Sequence, residues 1–438
     1  MDQILNIYCN NPSKRHTYVF DLVFKSLLGV SYCYTTDWSC VHINYSSENG
    51  NGIKIVPHGL LSEKDIRNTI LDEVIFESWK DTSVFFRTSD TSTPYDIFSA
   101  IFFLVTRYEE YLPFRADIHG RFPAEESVLF KNGALEKPLV NQWVKILKNM
   151  LEETFTISFP QQRFTYKSTI DIDQAWKYNN KGLLRNILGA IRDLMGLNIR
   201  ELIERFRVFQ GSLPDPYFNF NWQQKVHQEY QIDVTYFILL GQYGKYDKNI
   251  PPNNKYFVKL IKQLFKSSSQ QVGIHPSYIS NKNFDILKKE YETMQSLSNI
   301  DIDKSRQHYL IHSMPKTYHD LIRLGISQEY TMGYSTHMGF RAGIAAPFLW
   351  FDLTINSPTN LKLLPFCIMD ITPLYYRQET PDIAIKTIQG LMKSVHQVEG
   401  LFISLWHNDS LGESDRWKGW RRVYQNMIKL ANSYETLN

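Results

Sequence analysis

Several apolar stretches of this sequence end in residues able to do acid–base or metal chemistry. The run Phe164–Ile172 contains Asp171 and is followed at once by Asp173. Two positions apart on an extended strand, their side chains leave the same face. Two carboxylates side by side repel unless a cation or a shared proton lies between them. One solution is a carboxylate that binds metal beside one that acts as a base. An Asp at this place can also simply cap the turn that follows. A second run, Gln271–Ile274, ends in His275, which Pro276 follows directly. A third segment carries Arg306 and His308 on one face of an expected strand, and Leu401–Trp406 ends in His407, Asn408 and Asp409. A lone histidine at such a place is usually structural. Three of the chain's twelve histidines at strand ends, with an Asp pair at a fourth, suit Zn²⁺ or a similar divalent ion.

These residues need a scaffold that brings strand ends together. From about Gln161 onward, apolar strands alternate with long amphipathic stretches, the pattern of a parallel sheet with crossover helices. The expected strands are 164–172, 234–240, 271–275, 307–311, 366–369 and 401–406. Helices are expected over 183–209, 255–266, 283–297, 318–324, 381–398 and 419–431. Six such units fit a distorted (β/α) barrel, in which chemistry sits at the C-terminal ends of the strands. Residues 1–160 read differently, as short strands at 4–9, 41–45, 53–56 and 83–87, then helices at 96–112 and 138–155. The expectation is therefore a smaller α+β domain over 1–160 and a barrel over 161–438.

The chain of 438 residues has 43% hydrophobic and 21% charged residues, which suits a globular protein with a sizeable core. Its net charge of +3 lacks the basic excess expected of a nucleic-acid binder. The four cysteines are too few for a disulfide framework. No apolar run approaches the ~18 residues of a membrane span, and the first residues lack the features of a secretory signal. A cytoplasmic protein is expected. Sequence patterns for P-loops, dinucleotide-binding turns, His-Glu-x-x-His zinc sites and nucleophile elbows are missing.

In order along the chain, Thr169-Ile-Asp171-Ile-Asp173, Val234-Thr-Tyr-Phe, Gln271-Val-Gly-Ile-His275, Arg306-Gln-His308 and Leu405-Trp-His407 resemble the strand ends of the polysaccharide deacetylase family. The resemblance covers roughly residues 163–438 and is that of a divergent branch with an added N-terminal domain. It implies a metal-dependent hydrolase that removes N-acetyl groups from a sugar or glycan precursor of a bacterium, with a carbohydrate substrate and a divalent cofactor, zinc above others. Carried over by position, Asp171 matches the catalytic base and Arg306 the residue that orients it. Asp173 and His275 match metal ligands, and His407 matches the general acid.

The sequence also departs from that pattern. The family's second metal histidine lies four residues after the first, where this chain has Ile279. Either His308 (or, second, His337) replaces it, or the barrel is inactive and binds glycan or a partner in glycan assembly. Tyr278, Arg341 and Trp406 are the expected substrate contacts. Arg341 lies in the glycine-bearing segment 330–343, expected as a loop over the mouth, where it holds a carboxylate or phosphate or else pins the loop. Trp417 and Trp420 are further stacking candidates. The basic amphipathic helix 198–209 reads as a solvated surface helix or a partner contact.

Overall fold

The computed structural model describes residues 4–266 and 270–436, so the outermost residues of the two expected domains lie outside the described residues. Near the N-terminus, β1 (Ile4–Cys9), β2 (Ser31–Tyr34), β3 (Ile43–Tyr45) and β4 (Ile53–Lys54) form a parallel sheet in the order β2-β1-β3-β4. A separate antiparallel pair joins β5 (Glu77–Trp79) to β6 (Thr82–Val84). The helix expected over 96–112 begins where Asp96 accepts the Phe98 and Ser99 N–H groups, a side-chain N-cap. It stops at Val105 because Arg107 adopts a left-handed backbone (φ 53°), after which Tyr108–Tyr111 form a single 3-10 turn.

The larger sheet comprises β7 (Thr165–Ile172), β8 (Val234–Leu239), β9 (Gln270–His275), β10 (Lys304–Ser305), β11 (Gln328–Glu329), β12 (Phe348–Asp352), β13 (Ser357–Leu363), β14 (Ile368–Met369) and β15 (Leu401–His407). Its order is β12-β13-β11-β10-β9-β8-β7-β15-β14, with every pair parallel except β12 with β13. The central strands β7, β8 and β15 are buried on both faces over most of their length, as strands sandwiched in a parallel sheet must be. Gly273 on β9 allows this spacing, since a Cβ there would stand 2.7 Å from the Phe237 ring and 2.8 Å from the Lys304 carbonyl.

The sheet curls but its hydrogen-bond ladder does not close. β14 pairs only with β15, and the edge of β11 that a barrel would offer to β14 is taken by the β12–β13 hairpin. One hydrogen bond, Phe366 N–H to the Met332 carbonyl at 3.1 Å, bridges the gap. Inside the curl, Phe237, Tyr330, Phe366, Met369, Ile403 and Leu405 form an apolar cluster of their own. The architecture is thus a mixed α/β fold around an open, curled sheet.

Two further expected elements differ. The helix at 183–209 is a hairpin of two helices, Leu183–Met195 and Ile199–Phe209. The strand expected at 307–311 does not form: β10 ends at Ser305, and left-handed backbones at Tyr309 and Leu310 turn the chain into a 3-10 segment, His308–Leu310. Strand alternation therefore does not relate Arg306 to His308.

The first 160 residues pack on the rest through one continuous apolar core, in which Phe102, Leu104 and Trp143 join Ile344, Trp350 and Phe351. The segment 330–343 is largely buried in this contact rather than lying as a loop over a mouth. Gly339 (φ 117°) lies where a Cβ would meet the Leu135 carbonyl at 2.3 Å, and its neighbour Phe340 donates its N–H to that carbonyl. Beside it runs a buried ion network. Arg341 forks onto both oxygens of Glu110 at 2.8 and 2.7 Å, and Arg107 reaches Glu110 at 2.7 Å.

Candidate metal centre and active site

Parallel strands deliver their C-terminal ends to one side of a sheet, and the residues singled out above sit there. Asp171 on β7 stands in register opposite His407 on β15. His275 ends β9 opposite Leu239 of β8. Asp173 follows β7 by one residue, and His308 enters from the turn after β10.

Asp173, His275 and His308 offer three ligand atoms within 4.8 Å of one another. Asp173 Oδ1 lies 3.3 Å from His275 Nε2, and its Oδ2 lies 3.3 Å from His308 Nε2. The outer nitrogens decide the tautomers. His275 Nδ1 is 2.5 Å from the Arg306 carbonyl, which can only accept, so Nδ1 carries a proton. His308 Nδ1 likewise donates to Asp247 Oδ1 at 2.8 Å. In the neutral rings, both Nε2 lone pairs then face a carboxylate. That arrangement is repulsive unless protons or a cation intervene, and Asp173 Oδ1 is buried without a hydrogen bond of its own. Histidine ligands that donate their second nitrogen to a carbonyl or carboxylate are the usual support of a metal site. The residues fit a divalent ion.

Without an ion the same charges drive proton uptake. Burial works against a charged His308, but Asp173 and Asp247 outweigh it and raise its pKa to about 9. Burial likewise works against ionisation of Asp173, yet His308 and His275 hold it well below the usual carboxylate range.

Two further pairs flank the cluster. Arg306, fully buried, donates from Nη1 to Asp171 Oδ1 at 2.9 Å, and its guanidinium lies 4.6 Å from the Phe237 ring centre. Asp171 Oδ2 lies 3.6 Å from His275 Nε2. On the other flank, His407 Nδ1 sits 3.0 Å from Asp370 Oδ1, and the His407 N–H donates to Asp370 Oδ2 at 2.7 Å. Burial disfavours the imidazolium there, but Asp370, with Asp173 and Asp171 beyond it, raises the His407 pKa well above the ordinary value. Burial pushes the neighbouring Asp409 carboxyl up to about 6, with Asp370 adding to the effect and His407 opposing it.

One cavity of about 370 Å³ joins these groups, with Arg306, Asp247 and Asp370 standing behind its lining. Asp171, Asp173, His275, His308, His407 and Asp409 line its base. Aromatic side chains wall it: Tyr246 and Tyr309 on the β9–β10 side, Tyr375, Tyr376 and Trp417 on the other. His119 and Arg121 reach in from the first 160 residues, Arg121 donating to the Tyr309 carbonyl at 2.7 Å.

Several expected contacts lie elsewhere. Arg341 is consumed by Glu110 and the Gly333 carbonyl and does not face this cavity. Trp406 is fully buried, its ring 5.0 Å from that of Tyr424, because strand alternation points it into the helical layer. Tyr278 stacks behind Tyr246 with ring centres 4.0 Å apart and bonds His119, so it supports the wall without lining it. Of the tryptophans, Trp417 lines the cavity and Trp420 is core. His337 packs on Phe130, apart from the cluster, and Ile279 points to solvent.

Sequence reasoning missed Asp370 and Asp247 as functional candidates and marked Asp409 only as part of a strand end, with no role of its own. Asp370 directly follows an expected strand, a signal of the kind used for Asp171. Asp247 sits in the irregular stretch Gly244-Lys-Tyr-Asp-Lys-Asn249, which carries no such signal.

Residues 5–156 match the model of a family of unknown function, DUF7033. No curated protein matches the chain. Among solved structures it is similar to a provisionally named polysaccharide deacetylase from Mycobacterium smegmatis, at 13% identity over 64% of this chain and 93% of that one, with a TM-score of 0.39. It is also similar to BA3943, a CE4 family pseudoenzyme from Bacillus anthracis, at 11% identity over 65% and 66% of the two chains, TM-score 0.31. A third is the polysaccharide deacetylase Bc1974 from Bacillus cereus, at 11% identity over 61% and 86%, TM-score 0.30. The chain is thus similar, at low identity, to polysaccharide deacetylases and to a pseudoenzyme of their family.

Proposed function

We propose that this chain is a metal-dependent hydrolase that removes acetyl groups from the amino groups of a sugar or glycan precursor. The observation that carries this reading is the placing of three different groups round one cavity. They are a cluster of three potential metal ligands, a carboxylate clamped by arginine and an imidazole clamped by a carboxylate.

Asp173, His275 and His308 would hold the ion, which when bound supplies a Lewis acid toward the amide carbonyl and acidifies water. Asp171 has one oxygen committed to Arg306, which fixes the carboxylate and leaves Oδ2 to take the proton of the attacking water. His407 has Nδ1 committed to Asp370, so Nε2–H is the proton available to the departing nitrogen. An amide nitrogen leaves poorly as an anion, and this proton lets it depart as an amine. Water and the amide are converted to a carboxylate and an ammonium group, with no further reactant needed. The cavity has the size of a small-ligand site, and its aromatic walls offer faces on which a sugar ring can stack.

The test is acetate release from a panel of N-acetylated sugars and nucleotide sugars by zinc-loaded protein. The expected result is release that disappears on chelation and in Asp171→Asn. Glycan binding with no release by any loaded sample would overturn the reading in favour of an inactive, binding barrel.

A further inference from the structure

The helix hairpin Leu183–Met195 and Ile199–Phe209 is built inside out. Its inward seam is ionic: Arg205 donates to Asp193 and to Asn186, and Gly189 makes room for the guanidinium. Its outward face is apolar, with Leu184, Leu188, Ile191, Met195, Ile203 and Phe206 all exposed, Met195 to 81%. A hairpin that met only water would bury those side chains and expose the ion pair. The charges follow the same division. Asp193 is paired with Arg205, and Glu201 and Glu204 with Lys177. The exposed charged side chains of the two helices are Arg192, Arg200 and Arg207, all cationic.

We propose that this hairpin is a docking surface for an anionic lipid bilayer, on which it lies without crossing. An apolar helix face edged by arginine, with every carboxylate of the two helices held in an ion pair, is the pattern of an interfacial helix, its apolar side sunk among the acyl chains and its cations at the headgroups. Neither helix is long and apolar enough to span a membrane. A second copy of the chain suits the face less well, because a symmetric dimer would set the three arginines against their own kind. The surface adjoins the cleft: Arg192 and Arg200 line a hollow of about 630 Å³ with Arg416 and Trp417, and those two also line the catalytic cavity. Docking here sets the mouth of the cleft beside the bilayer, and the inference does not depend on the reaction proposed above.

The experiment is co-sedimentation of the full chain with phosphatidylcholine vesicles, with and without phosphatidylglycerol. Binding is expected to the phosphatidylglycerol vesicles and to weaken as salt is raised. The double substitution Leu188→Asp with Ile191→Asp should lower it at least about tenfold, since each removes a membrane-buried side chain. Arg192→Glu with Arg200→Glu, at two exposed positions, should also weaken it, and cooperative thermal unfolding of both variants shows that each is folded. Absence of binding to either vesicle, or binding that survives both variants, overturns the proposal. Self-association in solution that Leu188→Asp abolishes, without vesicle binding, overturns it in favour of a second copy.

Discussion

His308 turns one ring nitrogen to Asp247, at 2.8 Å, and the other to Asp173, at 3.3 Å. The Asp247 contact fixes both the tautomer and the aim of the ring, so the residue that makes His308 fit to hold a metal lies 61 positions away in the sequence. Removing that support should weaken the centre without deleting a ligand. Asp247→Asn is expected to raise the dissociation constant for zinc about 10–100-fold. Asp173→Ala and His308→Ala should each weaken binding further than that. Competition against a chromogenic chelator measures all three, and unchanged affinity in Asp173→Ala would remove the cluster from consideration.

Metal loading should depend on pH with a definite sign. In the metal-free protein His308 holds its proton up to about pH 9, whereas a ligand must be neutral. Each ion bound then displaces a proton, so affinity is expected to rise about tenfold per pH unit between pH 7 and 9 and to level off above. Isothermal titration in buffers of differing ionisation enthalpy would count the proton released.

The same pKa makes the metal-free fold pH-sensitive. The folded-state value lies above the 6.5 of a free imidazole, so the ion-pair stabilisation is complete below pH 6.5 and is lost as pH rises through about 9. Denaturant midpoints of the chelated protein should therefore fall over that window, and loading with zinc should flatten the profile.

Catalysis should separate the two flanking pairs. Asp171→Asn keeps the Arg306 contact and removes the proton acceptor, for an expected loss of about 10²–10⁴ in kcat with the fold intact. Asp370→Asn should act through His407: once the charge beside Nδ1 is gone, the imidazolium that burial disfavours deprotonates more easily. Activity on the alkaline side of the pH profile should then fall first. A variant with unaltered kcat and pH profile would take the proton-donor role away from His407.

Arg341 serves stability rather than substrate in this arrangement. Arg341→Ala leaves Glu110 buried with one fewer partner, and stripping one member from a buried ion pair costs about 3–5 kcal/mol. Urea denaturation should show that loss, with zinc affinity unchanged.

By itself the sequence determined the alternation of apolar strands and amphipathic helices after residue 161, because burial on both faces and a period near 3.6 leave local traces. It also marked Asp171, Asp173, His275, Arg306, His308 and His407 as candidates, since a polar residue just beyond an apolar run is visible without any fold. What the tertiary structure alone decided is which atoms meet. The chain leaves its strand after Ser305 and turns at left-handed Tyr309 and Leu310, which no apolar pattern marks, and His308, at the start of that turn, meets Asp173. The partners Asp247 and Asp370, and the capture of Arg341 by Glu110, join residues 61, 37 and 231 positions apart. Contacts of that range are set by how layers pack, and local periodicity records only which side of each element is apolar. The open ladder has the same origin. Nothing in the strand pattern foretold that the β12–β13 hairpin would take the edge on which a barrel would close.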